Sequence, residues 1–466
     1  MKKEPVIRLL SLGLLGGDDE VERRADRGRG RPNSLHSRGG YAQRRCATVS
    51  HSAVIEIIAP SWARRTRMAP ACGGLVRDAA EGAAGKGRAR CTARFTRSEF
   101  TAARTAAGTA LETAAAAAQL TGDQDAARAA AADMAAAIRQ MGPNALPEHR
   151  ILAHYDLAKF WSGHDDRRTA FAHWQEGHKL LRLSQPFARE TFARFLDQTR
   201  DAFSAERFRS GAFASNQDPA PVFIIGMPCS GTTLCEEILA AHALVHGAGE
   251  RDALHQMART LGTPEQIALL PAAELDGAAA RYLAELHALA PGKTRIVDKM
   301  PGNEMYLGLA ALMLPGAKFI HCVRDPRDIG LSIWTYRFHG EHAYAHDLAD
   351  LGWTIGQRAR LVDHWRQVLP GRILTLALKD WVDDFDGTLA RVLGHLDLSH
   401  DPACARFYEN NRDVRTVSRA QVRQPVHARG LGRWRAYAAE LAPLIAELKA
   451  AGMLSASSRR PRRDRG

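Results

Sequence analysis

Residues 221–239 read PVFIIGMPCSGTTLCEEIL. Val222–Ile225 are apolar, as in a strand covered on both faces. A loop bounded by Gly226 and Gly231 follows, and Thr232 and Thr233 open a helix. Strand, tight loop and helix start together form a seat for an anion, because free N–H groups and the helix dipole meet there. The two glycines stand at the spacing of a Walker A loop, but Thr232 occupies the position of its Lys. That Lys grips the outer phosphates of a nucleoside triphosphate, so an ATPase or an ordinary kinase is disfavoured. Backbone donors with the hydroxyls of Ser230, Thr232 and Thr233 suit one modest phosphate instead. A helix cap with no ligand is the plain alternative. Cys229 raises a cysteine phosphatase, which needs Arg six residues further on; Cys235 stands there. Near a helix N-terminus Cys229 is expected to have a depressed pKa, which makes it reactive without making it catalytic.

Outward from this loop the pattern alternates. Strands are expected over 222–226, 295–298, 317–323 and 372–378, and helices over 231–242, 303–314, 326–337 and 386–396. Alternating units of this kind give an α/β fold, a P-loop-like parallel sheet flanked by helices. Ligands of such sheets bind at the carboxyl ends of the strands. Three further segments fall at such ends. Arg324 in CVRDPRDIGLSIW precedes Ser332 in the next helix, and an Arg with a helix Ser suits a second phosphate. Surface pairs Arg324–Asp325 or Arg327–Asp328 are the bland reading. IVDKMPGN carries Asp298 and Lys299, and HGAGERD carries Glu250 in a Gly-rich loop.

Upstream, residues 101–215 read as a helical region. Residues 101–141 are Ala-dominated and helical by propensity, and Gly142-Pro143 ends that helix. Two amphipathic helices follow, broken at Gly163–Asp166. One carries Tyr155, Leu157, Ala158 and Trp161 on a face; the other carries Ala170, Phe171, Trp174 and Leu180 or Leu181. This hairpin resembles a tetratricopeptide repeat (TPR), with a turn about two residues longer than usual. A lone unit needs a neighbour, so it is expected to pack on the following domain, 216–455, whose boundary is Asn216–Pro219. Residues 1–100 are Arg-, Gly- and Ala-rich and are expected to be disordered; a mistaken start codon or a shifted reading frame would equally account for them. Residues 456–466 form a basic tail.

The chain has 466 residues and a net charge of +13. That charge sits at the ends: residues 1–100 carry +10 and residues 459–466 carry +4, leaving −1 between them. The tails are read as solvated charge, with no specific nucleic acid as partner. No apolar run is long enough to span a membrane, and the opening stretch lacks the cleavage pattern of a signal peptide. The seven cysteines include no C-x-x-C pair, so free thiols and a cytoplasmic location are expected.

Together VFIIGMPCSGTTL, HGAGE, DKMPGN, AKFIHCVRDPRDIGLS, VLPGRILTLALKD and TVSRAQVRQPVHARGLGRWRAY resemble the PAPS-dependent sulfotransferases. The resemblance is closest to the bacterial branch with a TPR region, related to the protein-tyrosine sulfotransferases, and covers about residues 150–450. It implies 3′-phosphoadenosine 5′-phosphosulfate (PAPS) as donor co-substrate, no metal, and a hydroxyl-bearing acceptor. It implies that Cys229, Ser230, Gly231, Thr232 and Thr233 face the 5′-phosphosulfate. Arg324 and Ser332 would hold the 3′-phosphate, and Ser418 and Arg433 would close over the nucleotide. Glu250 matches the general base, and Lys299 a residue that steadies charge on the transferring group. This sequence departs from the pattern at Cys229, where the branch has Arg. Losing such a contact costs about 2–4 kcal/mol of transition-state stabilisation. A sulfotransferase, active or weakened, is therefore expected. The alternatives are a catalytically degenerate relative that acts as a TPR interaction module with a protein partner, and a P-loop nucleotide kinase. The acceptor stays open among peptide tyrosine, a sugar and a small alcohol.

Overall fold

Strand β1 (Pro221–Ile225) is buried along its whole length because it lies in the middle of a five-stranded sheet, in the order β2-β3-β1-β4-β5. The computed structural model describes residues 124–140, 147–338, 340–410, 412 and 421–454. The disorder expected for residues 1–100, the helix expected before Gln124, the break at Gly142-Pro143, Ser418 and the basic tail all fall outside the described residues.

Among the described residues five helices precede the sheet: α1 (Gln124–Gln140), α2 (Pro147–Gly163), α3 (Arg167–Ser184), α4 (Arg189–Ala202) and α5 (Ala205–Ser210). After β1 come α6 (Thr232–Ala240), β2 (Val245–Gly247), α7 (Ala253–Leu261), α8 (Pro264–Ala268) and α9 (Ala272–Leu289). Then follow β3 (Arg295–Lys299), a 3₁₀ turn (Asn303–Tyr306), α10 (Leu307–Met313), β4 (Lys318–Val323) and α11 (Pro326–Trp334). The rest is α12 (Leu348–Val368), β5 (Ile373–Ala377), α13 (Leu378–Asp383), α14 (Phe385–His395) and α15 (Ala442–Ala450).

All strand pairs are parallel. The four expected strands are present within a residue or two of their expected ends; the helices expected over 231–242 and 386–396 agree as closely, the one expected over 326–337 ends three residues early at Trp334, and α13 was not expected. The expected helix 303–314 divides into the 3₁₀ turn and α10. Strand β2 was not expected: three residues are too few to show a period. β1 is apolar throughout, and Ile296, Val297, Phe319 and Ile320 continue it in the neighbouring strands, because each face of the sheet has its own core. Phe223, Ile225, Ile296 and Phe319 pack with α9, α10 and α12 on one side. Val222, Ile224, Val297 and Ile320 pack with α6 and α14 on the other.

Helices α2 and α3 form the expected hairpin, and its apolar face is used against the sheet domain. Ala158, Ala170, Phe171 and Trp174 join Trp334, Leu351, Tyr437 and Leu444 in a third core. Burial pushes the His178 imidazole down to about 3, so the ring is neutral. Its Nε2–H donates to the Trp334 carbonyl at 2.9 Å, and the ring stacks on the Trp334 indole. This contact fixes the end of α11 two residues past Ser332.

Behind β3, the 3₁₀ turn is held by a buried ion pair between Glu304 and Arg358, which are 1% and 3% exposed. Gly302 N donates to the second Glu304 oxygen, and Trp365 Nε1 to the Glu304 carbonyl. Arg358→Met leaves Glu304 buried without its cation. We expect a loss of about 3–5 kcal/mol in denaturant unfolding; a loss below about 1 kcal/mol would show that the pair does not hold the turn.

Candidate functional site

The chain runs from β1 to β2 and β3 on one side and then crosses to β4 and β5 on the other. The crevice at this reversal, outside the carboxyl ends of the strands, is where such sheets take ligands. The loop Gly226–Gly231 lies there. Gly226 has φ +140°, and a Cβ on it would stand 2.5 Å from the Cys322 carbonyl oxygen, so only glycine fits. Gly231, at φ +107°, caps α6. Ser230, Thr232 and Thr233 are all buried at the head of that helix, and the Ser230 Oγ has no hydrogen-bond partner.

Cys229 takes a left-handed backbone, φ 66°, which is uncommon for a residue with a side chain. Its carbonyl is thereby turned towards Arg324, whose Nη1 donates to it at 3.0 Å. The expectation of a depressed Cys229 pKa is wrong. Burial pushes the thiol up to about 11, and the nearby Arg324 and Arg433 guanidiniums pull it back only in part.

The same Arg324 Nη1 lies 3.2 Å from Ser332 Oγ, so the two residues expected to share a phosphate are in contact. Arg324 Nη2 donates to the Gly430 carbonyl, and Nε is buried with no partner. Burial lowers the Arg324 pKa, and the Asp328 carboxylate opposes that shift. Asp328 itself is buried and accepts from Gly432 N at 2.6 Å and Trp434 N at 2.9 Å. It fastens the segment carrying Arg433 across α11. The surface pair actually formed is Arg327–Asp325, at 2.7 Å, with the Arg327 guanidinium 3.8 Å over the Trp434 ring. Ser418 lies outside the described residues.

One strand over, Ile224 pairs with Lys299 at the end of β3. Lys299 is fully buried, and its Nζ donates to Glu250 Oε1 at 2.6 Å. The Glu250 side chain is 39% exposed, so the carboxylate has a buried cation on one side and solvent on the other. It reaches this place because the HGAGE loop extends the ladder beside β3: Ala248 N donates to Val297 O, and Lys299 N to Gly249 O. The neighbouring Asp298 is pushed up to about 7 by burial. It accepts from Tyr282 OH at 2.7 Å and Asn303 Nδ2 at 3.2 Å.

The structure thus gathers two groups at one sheet end. One comprises Ser230–Thr233, Arg324, Ser332 and Arg433, with two guanidiniums near the head of α6. Beside it stands a carboxylate–ammonium pair, Glu250 and Lys299. Three residues with roles at this site were not singled out from sequence. Asp328 was read only as a surface charge. Glu236 and Arg412 contact the Glu250 loop but lie 176 residues apart in the chain, and no local pattern joins them.

Residues 221–402 match the family model described as "Sulfotransferase family". An uncharacterized protein of Aquifex aeolicus (strain VF5) is 28% identical over 311 residues. The match takes in 64% of this chain and 41% of that protein, so the chain spans about two fifths of its relative's length. Among solved structures, the sulfotransferase domain of the Synechococcus PCC 7002 olefin synthase is 22% identical with TM-score 0.39, covering 51% of this chain and 96% of that one. Mouse sulfotransferase SULT7A1 complexed with PAP is 14% identical with TM-score 0.34, covering 56% and 92%.

A thiol held near 11 carries little thiolate at neutral pH. Against an ordinary cysteine we expect alkylation of Cys229 by iodoacetamide at pH 7.5 to be slower by roughly a hundredfold. The rate should climb through pH 10–11, followed by peptide mass spectrometry. Rapid labelling at pH 7.5 would contradict the burial argument.

Proposed function

From the premise that residues 221–402 belong to the sulfotransferase family, we propose that this chain transfers a sulfuryl group from PAPS to a hydroxyl acceptor. The observation that carries the reading is the contact of Arg324 with both Ser332 and the Cys229 carbonyl. It sets the Arg324 guanidinium between the loop and α11, a position that suits a phosphate. The site residues suit the donor chemically. Ser230 Oγ and Arg324 Nε are buried donors without partners, and an anion would satisfy both. Arg324 and Arg433 also lie close enough to repel one another, a cost that a phosphate removes.

In this reading Ser230, Gly231, Thr232 and Thr233 hold the 5′-phosphosulfate, Arg324 and Ser332 hold the 3′-phosphate, and Arg433 covers the nucleotide. The donor supplies a sulfuryl group already activated as a mixed anhydride. Glu250, partly open to solvent, takes the proton of the acceptor hydroxyl. Lys299 steadies negative charge beside the transferring group, and its burial strengthens that effect. Catalysis is positioning plus charge stabilisation, as in phosphoryl transfer. Cys229 contributes its backbone in place of the branch's Arg side chain. Arg324 and Arg433, both within electrostatic reach of its thiol, supply part of the missing charge. The acceptor is a peptide tyrosine, a sugar or a small alcohol.

Cys229 also favours a second reading, a degenerate relative that binds donor without transfer and acts through its TPR-like helices on a protein partner. No described helix is long and apolar enough to cross a membrane; a cytoplasmic location is part of the proposal.

Calorimetric titration of the full chain with 3′-phosphoadenosine 5′-phosphate (PAP) tests the reading. Wild type is expected to bind at micromolar strength and Cys229→Arg more tightly. Arg324→Ala is expected to bind about 10–100-fold more weakly, the loss of a charged hydrogen bond of about 1.5–3 kcal/mol. Absence of binding by both wild type and Cys229→Arg would overturn the assignment.

A further inference from the structure

Glu236 sits one turn into α6 with its side chain only 3% exposed, directly behind the anion loop. Its Oε1 accepts from Gly249 N at 2.8 Å and from Arg412 Nη2 at 2.9 Å. Its Oε2 lies 3.8 Å from Lys299 Nζ. Gly249 immediately precedes Glu250, and its carbonyl accepts from Lys299 N at 3.1 Å. The peptide that carries Glu250 is therefore clamped on both sides, by Glu236 and by the backbone of Lys299. The Lys299 ammonium is shared between two carboxylates. Arg412 completes the arrangement. It donates to Glu237 Oε1 at 2.7 Å and to the Gly247 carbonyl, and it fits because Gly247 has no side chain.

A buried charge cluster is weak evidence of stability, because apolar packing of the same volume often serves as well. This cluster, however, ends on the backbone amide next to Glu250 and on that residue's only ion-pair partner among the described residues. We infer, on the reading proposed above, that Glu236 is a positioning residue for sulfuryl transfer. It places Glu250 and tempers the hold of Lys299 on its carboxylate, and Arg412 keeps Glu236 in place.

The Glu236 carboxylate lies 3.8 Å from Lys299 Nζ and shares that ammonium with Glu250; without it Lys299 acts on Glu250 alone. Asp298 and Lys299 face Glu236 from β3, His246 from β2, Arg412 from the C-terminal segment, and Cys235 and Glu237 flank it on α6. Glu236→Gln leaves all of them unchanged.

The test follows conversion of PAPS to PAP by the full chain, with water or an added phenol as acceptor. The S–O bond to phosphate breaks, an S–O bond to the acceptor oxygen forms, and the acceptor proton passes to Glu250. For Glu236→Gln we expect PAP affinity within about threefold of wild type and a plateau rate at least about tenfold lower. The loss should fall on kcat, with KM for PAPS within about threefold of wild type. Arg412→Gln should lower the plateau rate in the same way, and Arg412→Lys should restore it. A plateau rate within about threefold of wild type in both Glu236→Gln and Arg412→Gln, or a loss that Arg412→Lys does not restore, overturns the inference while the function stands. Should Glu236→Gln fail to fold, the contrast between Arg412→Gln and Arg412→Lys decides alone. Wild type that neither binds PAP nor consumes PAPS would overturn the proposed function and this inference with it.

Discussion

A side chain has no room at Gly226, where the backbone leaving β1 passes against the Cys322 carbonyl of β4. That close approach lets the chain turn within six residues from a buried strand into α6, and it points the head of α6 into the crevice between β3 and β4. Everything else at the site is measured from this turn. Lys299 stands beside Ile224 by register, and Arg324 leaves β4 on the other flank. The sheet is a ruler, and the turn is its origin.

Around that origin the charges are divided by sign. On the β4 side, Arg324 and Arg433 form a positive seat whose nearest carboxylate, Asp328, is occupied by the backbone of Gly432 and Trp434. On the β3 side, Glu236, Glu250, Lys299 and Arg412 alternate in sign, so each buried charge has an opposite neighbour. The first arrangement leaves Ser230 Oγ and Arg324 Nε without partners; the second pairs each of its charges. A donor seat should be left unsatisfied and a proton-transfer pair should be fixed in advance, so the contrast agrees with the roles proposed for them. The helical hairpin serves the same end from outside, since His178 steadies the turn of α11 that follows Ser332.

Much of this was legible in the sequence, for physical reasons. The central strand β1 is buried on both faces and leaves an unbroken apolar run, and the shorter apolar stretches Ile296–Val297, Phe319–Ile320 and Ile373–Leu374 mark β3, β4 and β5, whereas the three-residue β2 shows none. The loop was legible because two glycines at a fixed spacing mark an obligatory backbone path. Pairings across the chain were not. Nothing local joins Glu236 to Arg412, or Asp328 to the amide of Gly432. The Cys229 thiol departs from its expectation because position at a helix start is visible in sequence, while the burial that raises its pKa is a property of the folded molecule.

The most direct measurement is a crystal structure of the full chain with PAP. The account predicts the 5′-phosphate on the backbone and hydroxyls of Ser230–Thr233. It predicts the 3′-phosphate on Arg324 and Ser332, with Glu250 and Lys299 bordering the open side. A nucleotide bound elsewhere, or one whose 3′-phosphate leaves the Arg324–Ser332 contact untouched, would contradict it.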